Sequence, residues 1–169
     1  WLARLGIENV GSLNDAIASG RADEIVLVSE AFHEQNLADI ARTVADRLDK
    51  SHLILIAGPS SSGKTTTTLK MTERLEKAGI GFRAINIDNY FYDLEMHPKD
   101  EYGDYDFETP QALDLALINE HLQRLIAGEE VMLPYYDFKT GSRRLNVTPM
   151  QVRSDQLILI DSLHGLYEG

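Results

Sequence analysis

Two periods divide the apolar positions of this chain. Short apolar runs and alternations mark strands: Leu53-Ile54-Leu55-Ile56-Ala57, a weaker alternation over 82–87, residues 130–136, and Gln156-Leu157-Ile158-Leu159-Ile160 ending in Asp161. Spacings of three and four mark helices. Leu37, Ile40, Ala41, Val44, Ala45 and Leu48 make one face of a helix over 30–49. Leu113, Leu117, Ile118, Leu122, Leu125 and Ile126 make one face of another, opened by Thr109-Pro110 and ended by Gly128. Residues 66–77 are compatible with a helix closed by Gly79 and Gly81, although Thr66-Thr67-Thr68 is a poor intrinsic start for one. Upstream, Ser12-Leu13-Asn14-Asp15 has the form of a capping box before a short helix that Gly20 ends, and residues 24–28 read as a strand. Strands alternating with helices predict an α/β fold, divided into an approach segment over 1–50 (short helix, strand, amphipathic helix) and a core over 51–169.

Between the periodic stretches lies a long aperiodic one. Residues 89–108 hold Tyr90, Phe91, Tyr92, Tyr102, Tyr105 and Phe107 among many acids, which predicts a long loop with its rings tucked onto the core. Asp137-Phe138-Lys139-Thr140-Gly141 follows the strand over 130–136, and residues 143–152 are expected to form a small hairpin arm.

One stretch carries the chemistry. Gly58-Pro59-Ser60-Ser61-Ser62-Gly63-Lys64-Thr65 fits G-x-x-x-x-G-K-[ST], with an apolar strand before it and a helix after it. Glycines at both ends let the backbone curl so that its N–H groups point inward at an anion, and the helix N-terminus adds unpaired donors. Lys64 is expected to reach the β- and γ-phosphates of ATP and the Thr65 hydroxyl to ligate Mg²⁺, with Thr66 beside it. Two acids end strands on the side of the sheet that faces a ligand: Asp88, and Asp161 after four apolar residues, the latter in the position of a Mg²⁺-holding carboxylate.

Composition narrows the partners. The formal charge of −11 argues against nucleic acid, which needs a basic footprint. Cysteine is absent, so there are neither disulfides nor thiolate metal sites. No apolar run is long enough to cross a bilayer and Trp1 begins no secretory signal, so a cytoplasmic location is expected. The missing initiator Met marks the chain as an expected piece of a longer one.

The motifs GPSSSGKTT, INIDNYF, YDFETPQALD, LPYYDFKTGSR and LILIDSLHGLY stand in the order seen in the uridine kinase and phosphoribulokinase family, which the chain resembles. With EAFHEQNLADIA upstream, it resembles more narrowly the uridine-kinase-like domain of long bacterial proteins whose N-terminal domains are similar to those of threonyl-tRNA synthetase. The resemblance implies a general base at Asp88, a ribose-gripping acid at Glu108, nucleoside-lining rings at Tyr136 and Phe138, and a metal-holding acid at Asp161. Departures fall on the acceptor side: Gly141 stands where the family's uridine kinases carry a base-reading His, and Phe91 where they carry Tyr. Asp161-Ser162 replaces their Glu-Gly pair. The family's lid arginines and last strands are expected beyond Gly169, so residues 1–169 alone are expected to turn over slowly.

The fold expected is thus a three-layer P-loop NTPase sheet of the nucleoside-kinase type, truncated at its C-terminal side. The function expected is ATP- and Mg²⁺-dependent phosphorylation of a small-molecule hydroxyl, a nucleoside 5′-hydroxyl above all. Another P-loop small-molecule kinase of the phosphoribulokinase type, or an ATP-binding regulatory module, are the alternatives. A GTPase is disfavoured, because no N-K-x-D motif occurs and no D-x-x-G follows Asp161.

Overall fold

Leu157 and Ile158 are neighbours on one strand and point to opposite faces of it, and each face is covered. The strand is β5 (Gln156–Ser162), the centre of a three-stranded parallel sheet in the order β1-β5-β2, with β1 spanning Leu53–Ala57 and β2 spanning Gly81–Asn86. A computed structural model describes residues 1–58 and 61–162. The register sets Leu53 beside Ile158 and Ile54 beside Leu159 on one side, and Phe82 beside Leu157 and Ile85 beside Ile160 on the other. On one face Leu157, Ile54 and Phe82 pack with Leu75 of helix α3 (Lys64–Lys77), Ile80, Val44 and Leu48. On the other, Ile158, Ile160 and Ile85 pack with Leu125 and Leu117 of helix α4 (Leu115–Ile126). Helix, sheet and helix make three layers, and the fully buried parallel strand reads as the unbroken apolar run that it is.

The chain divides into two units, Trp1–Thr43 and Val44–Gly169. In the first, helix α1 (Val10–Ala18) is capped by Asn9, whose Oδ1 accepts the Ser12 N–H at 3.0 Å while the Ser12 Oγ accepts the Asn9 N–H at 3.1 Å. The capping box therefore starts three residues earlier than the expected Ser12-to-Asp15 pattern. Residues 24–28 are not a strand: helix α2 runs unbroken over Ala22–Ala45, eight residues ahead of the helix expected from 30. Asp23 and Glu24 in its first turn suit the helix dipole, and Glu24 pairs with Arg21 at 2.8 Å. Ile25 is buried with Ile7 and Ala16, whereas Val26 and Leu27 stay exposed; one helical face meets its partners, and β-branched residues are carried along by cooperative elongation.

In the second unit α3 ends at Gly79 (φ +78), with Gly79 and Ile80 donating back to the Glu76 and Leu75 carbonyls at 2.9 Å each. Thr109-Pro110 opens only a 3-10 turn, Pro110–Ala112; α4 starts after Asp114, whose Oδ1 accepts the Leu117 N–H at 3.0 Å. Leu113 thus lies ahead of the helix rather than on its face, buried in the core. The hairpin expected within 143–152 is instead one strand, β4 (Ser142–Met150), paired antiparallel with β3 (Val131–Asp137) across the turn 138–141.

Candidate functional site

The phosphate loop leaves the carboxyl end of β1. A Cβ at Gly58 would stand 2.9 Å from Ser62 Oγ, so a side chain there would have to push the serine hydroxyl aside. Gly63 at the N-cap of α3 has φ 88 and Ser61 has φ 58, both left-handed, and Gly63 sets no side chain over the free amides of the helix. A left-handed residue before a helix N-terminus is the kind of backbone that offers N–H groups to an anion. Pro59 and Ser60 lie outside the described residues. Thr65 and Thr66 sit exposed in the first turn of α3.

Beside the loop is a cleft of about 440 Å³, lined on its polar side by Lys64, Thr68, Asn86, Asp88, Asp161 and Ser162. Parallel pairing brings these together: Asp161 is level with Ile56 of β1 and Asn86 of β2, and Ser162 with Ala57. Asp88 lies two residues past β2, in a 3-10 turn whose start is held by Asn86 Oδ1 accepting the Asp88 N–H at 3.0 Å. Asp88 is exposed at the cleft mouth, yet desolvation by the cleft walls raises its pKa, the Asp161 carboxylate raises it further, and Lys64 opposes both. Asp161 Oδ1 and Thr68 Oγ1 are buried without a hydrogen-bond partner among the described residues. An orphaned carboxylate oxygen beside a phosphate loop is a donor that suits Mg²⁺, which takes one or two carboxylates together with water and phosphate oxygens. No group of three or more His, Cys, Asp or Glu fit to hold a metal occurs among the described residues.

On the other side of Asp88 is a second cleft, of about 230 Å³, lined by Ile87, Phe91, Phe107, Leu113 and Phe138. Asp88 and Ser162 line both clefts. The rings form one cluster: Phe91 stands edge-on to Phe107, Tyr136 and Phe138 at 5.3, 5.6 and 6.2 Å between centroids. Phe138 is 62% exposed and open to a ligand, whereas Tyr136 is buried behind it at 5.0 Å. Burial, with help from Asp93, raises the Tyr136 pKa. Glu108 is exposed on the loop and lies outside the residues that line either cleft. Gly141 is left-handed at φ +67, and a Cβ there would meet the Leu94 Cβ at 2.8 Å, so this backbone leaves position 141 no room for a side chain.

Phe107, Leu113, Ser162, Thr68 and Asn86 were not expected to line a cleft. Ser162 follows Asp161 directly, and Thr68 is one helical turn beyond Lys64, so adjacency to the motifs was the available signal. The spacing of Leu113 makes it part of a helix face, a signal for packing rather than for a site.

Residues 53–169 match the phosphoribulokinase / uridine kinase family. A uridine kinase of Chloroflexus aurantiacus is 34% identical over 116 residues, 69% of this chain and 54% of that protein. An inorganic pyrophosphatase of Arabidopsis thaliana is 27% identical over 153 residues, 89% of this chain and 22% of that protein. Among solved structures, a Bacillus stearothermophilus protein described as a possible uridine kinase superposes with a TM-score of 0.60 at 21% identity, covering 76% of this chain and 70% of that one. The chain spans about half the length of the uridine kinases it matches. With the family match covering the whole stretch from β1 through both clefts, the chain belongs to the phosphoribulokinase / uridine kinase family.

Proposed function

We propose that the protein transfers the γ-phosphoryl group of ATP to a hydroxyl of a small molecule, with a nucleoside 5′-hydroxyl as the acceptor. One observation carries the reading: Asp88 borders both the polar cleft beside the phosphate loop and the aromatic cleft. A carboxylate so placed takes the proton of a hydroxyl lying in the second cleft as that oxygen attacks a phosphorus lying in the first. Its raised pKa makes it a stronger base than an ordinary carboxylate. Lys64 and the loop amides hold phosphate oxygens where charge develops. Thr65 and Asp161 would hold Mg²⁺, which supplies charge neutralisation across the β- and γ-phosphates. Phe91, Phe107 and Phe138 offer flat apolar walls to a base or a sugar face. Glu108 enters as a ribose contact through its motif position alone.

The net charge of −11 favours a small acceptor over nucleic acid. No helix among the described residues is long and apolar enough to cross a membrane, and a cytoplasmic setting belongs to the same reading. So does the narrower likeness to kinase-like domains of long bacterial proteins. A second reading, a nucleotide-binding module serving another activity, is favoured by the relative that this chain matches over only 22% of its length and that is named a pyrophosphatase.

The test is transfer of labelled γ-phosphate by the full-length protein, with Mg²⁺, to uridine, cytidine, ribulose 5-phosphate and glycerate. Phosphorylation of a nucleoside upholds the reading. Phosphorylation of the sugar phosphate or the acid alone moves the chain to the phosphoribulokinase type. ATP binding with no transfer to any of them favours the module.

A further inference from the structure

The acceptor wall stands on a two-stranded hairpin, an element that is marginal by itself. Its placement against Asp88 therefore depends on what fastens it. Arg143 of β4 is opposite Tyr136 of β3, two residues before Phe138, and this rung is tied at both ends. The Tyr136 N–H donates to Asn89 Oδ1 at 3.2 Å, and Asn89 is the residue after Asp88. The Arg143 N–H donates to Asp93 Oδ1 at 2.6 Å. Its guanidinium, 13% exposed, donates from Nη1 to Asp114 Oδ2 at 2.9 Å, lies 3.5 Å from the Tyr90 carbonyl oxygen, and covers the Tyr92 ring at 5.1 Å. The other oxygen of Asp114 caps α4. One side chain thus joins the hairpin, the segment running on from the base, and the first turn of a core helix.

We infer that Arg143 is a positioning residue for acceptor binding: it sets the distance between the Phe138 wall and the Asp88 carboxylate while taking no part in holding ATP. The inference rests on the reading of the aromatic cleft as the acceptor site. A guanidinium suits the task because its fixed fork serves a carboxylate and a carbonyl at once and its face stacks on a ring, which an ammonium cannot reproduce. The ion pair is largely shielded from water, so losing the cation also leaves the Asp114 carboxylate uncompensated.

Arg143→Met and Arg143→Lys in the full-length protein, assayed with uridine and ATP, test this. In Arg143→Met the KM for uridine should rise about 10-fold or more while kcat and the KM for ATP stay within about 3-fold, the signature of lost acceptor binding. Arg143→Lys should recover part of that loss. Amide hydrogen exchange at Tyr136 should quicken in Arg143→Met relative to that in α3. An unchanged uridine KM, or an ATP KM rising in step with it, overturns the inference. If the wild type phosphorylates no acceptor, the proposed function falls by itself, and unchanged exchange at Tyr136 then overturns the clamp separately. Should Arg143→Met fail to fold, Asp114→Asn keeps a capping oxygen for Leu117 and removes the ion pair, with the same outcomes expected.

Discussion

The two clefts that meet at Asp88 are built in opposite ways. The phosphate cleft is made of backbone and strand ends: a glycine-rich loop, the start of α3, and polar residues at the carboxyl ends of β2 and β5. Parallel pairing holds these positions, and few of them depend on how a side chain packs. The aromatic cleft is made of side chains from four separate stretches, 87–91, 107–113, the tip of the β3–β4 hairpin and Ser162 at the end of β5, fastened by individual contacts such as Arg143 to Asp114. The first serves any nucleoside triphosphate because every such ligand presents the same phosphates. On the proposed function, acceptor choice would fall to the second, where the exposed Phe138 ring stands clear of the core.

The sharpest way to break this division is Asp88→Asn, since Asp88 belongs to both sides. Transfer should fall ~10²–10⁴-fold with ATP affinity within a few-fold, measured by labelled-phosphate assay and calorimetry. A loss of ATP affinity as large as the loss of rate would make Asp88 a nucleotide ligand rather than a base. Next, Lys64→Ala should weaken ATP binding by roughly 10–100-fold, the equivalent of a charge-assisted bond of about 1.5–3 kcal/mol, with the circular dichroism spectrum unchanged. Equal ATP affinity in variant and wild type would remove the phosphate cleft from the account.

Two lining residues of the aromatic cleft separate binding from packing. Leu113→Ala should cost about 2–5 kcal/mol of stability by denaturant titration, because Leu113 is buried in the core. Phe138→Ala should cost less than about 1 kcal/mol, because that ring is already 62% exposed, and should raise the acceptor KM with the ATP KM unchanged. A large stability loss at Phe138 would make it a packing residue and leave the cleft without its open wall.

The smallest effect is in pH. The Asp88 carboxyl holds its proton more tightly folded than unfolded, so below the ordinary carboxylate range both states are protonated and it contributes nothing to the difference. As pH rises through the window up to the raised value, the unfolded chain ionises first and the folded state loses stability relative to it. Asp88→Asn should therefore raise the Tm at pH 7, and the gain should vanish in acid. Because Asp161 helps raise the Asp88 pKa, Asp161→Asn should shift the acid limb of the rate profile to lower pH in whatever activity remains. A lower Tm for Asp88→Asn at pH 7 would show that the carboxylate stabilises the turn more than its desolvation costs.

The sequence by itself determined the sheet strands and the phosphate cleft. Five apolar residues before a glycine-rich loop read as a strand, of which Leu53, Ile54 and Ile56 are half-buried, and Gly63 sits where the helix start takes a left-handed backbone. Asp88 and Asp161 were legible for the same reason, because a strand end in a parallel sheet has one place to go. Tertiary structure decided the rest. Residues 24–28 have a strand's composition yet lie in a helix, because Ile25 meets Ile7 and Ala16 on one face. The hairpin pairs β4 with β3 because contacts to Asp93, Asp114 and Asn89, all more than twenty residues away in sequence, outweigh any local preference. Phe107, Leu113 and Phe138 become one cleft only when the chain between them folds back, and no period or spacing records a contact whose two halves are paid for by packing at a distance.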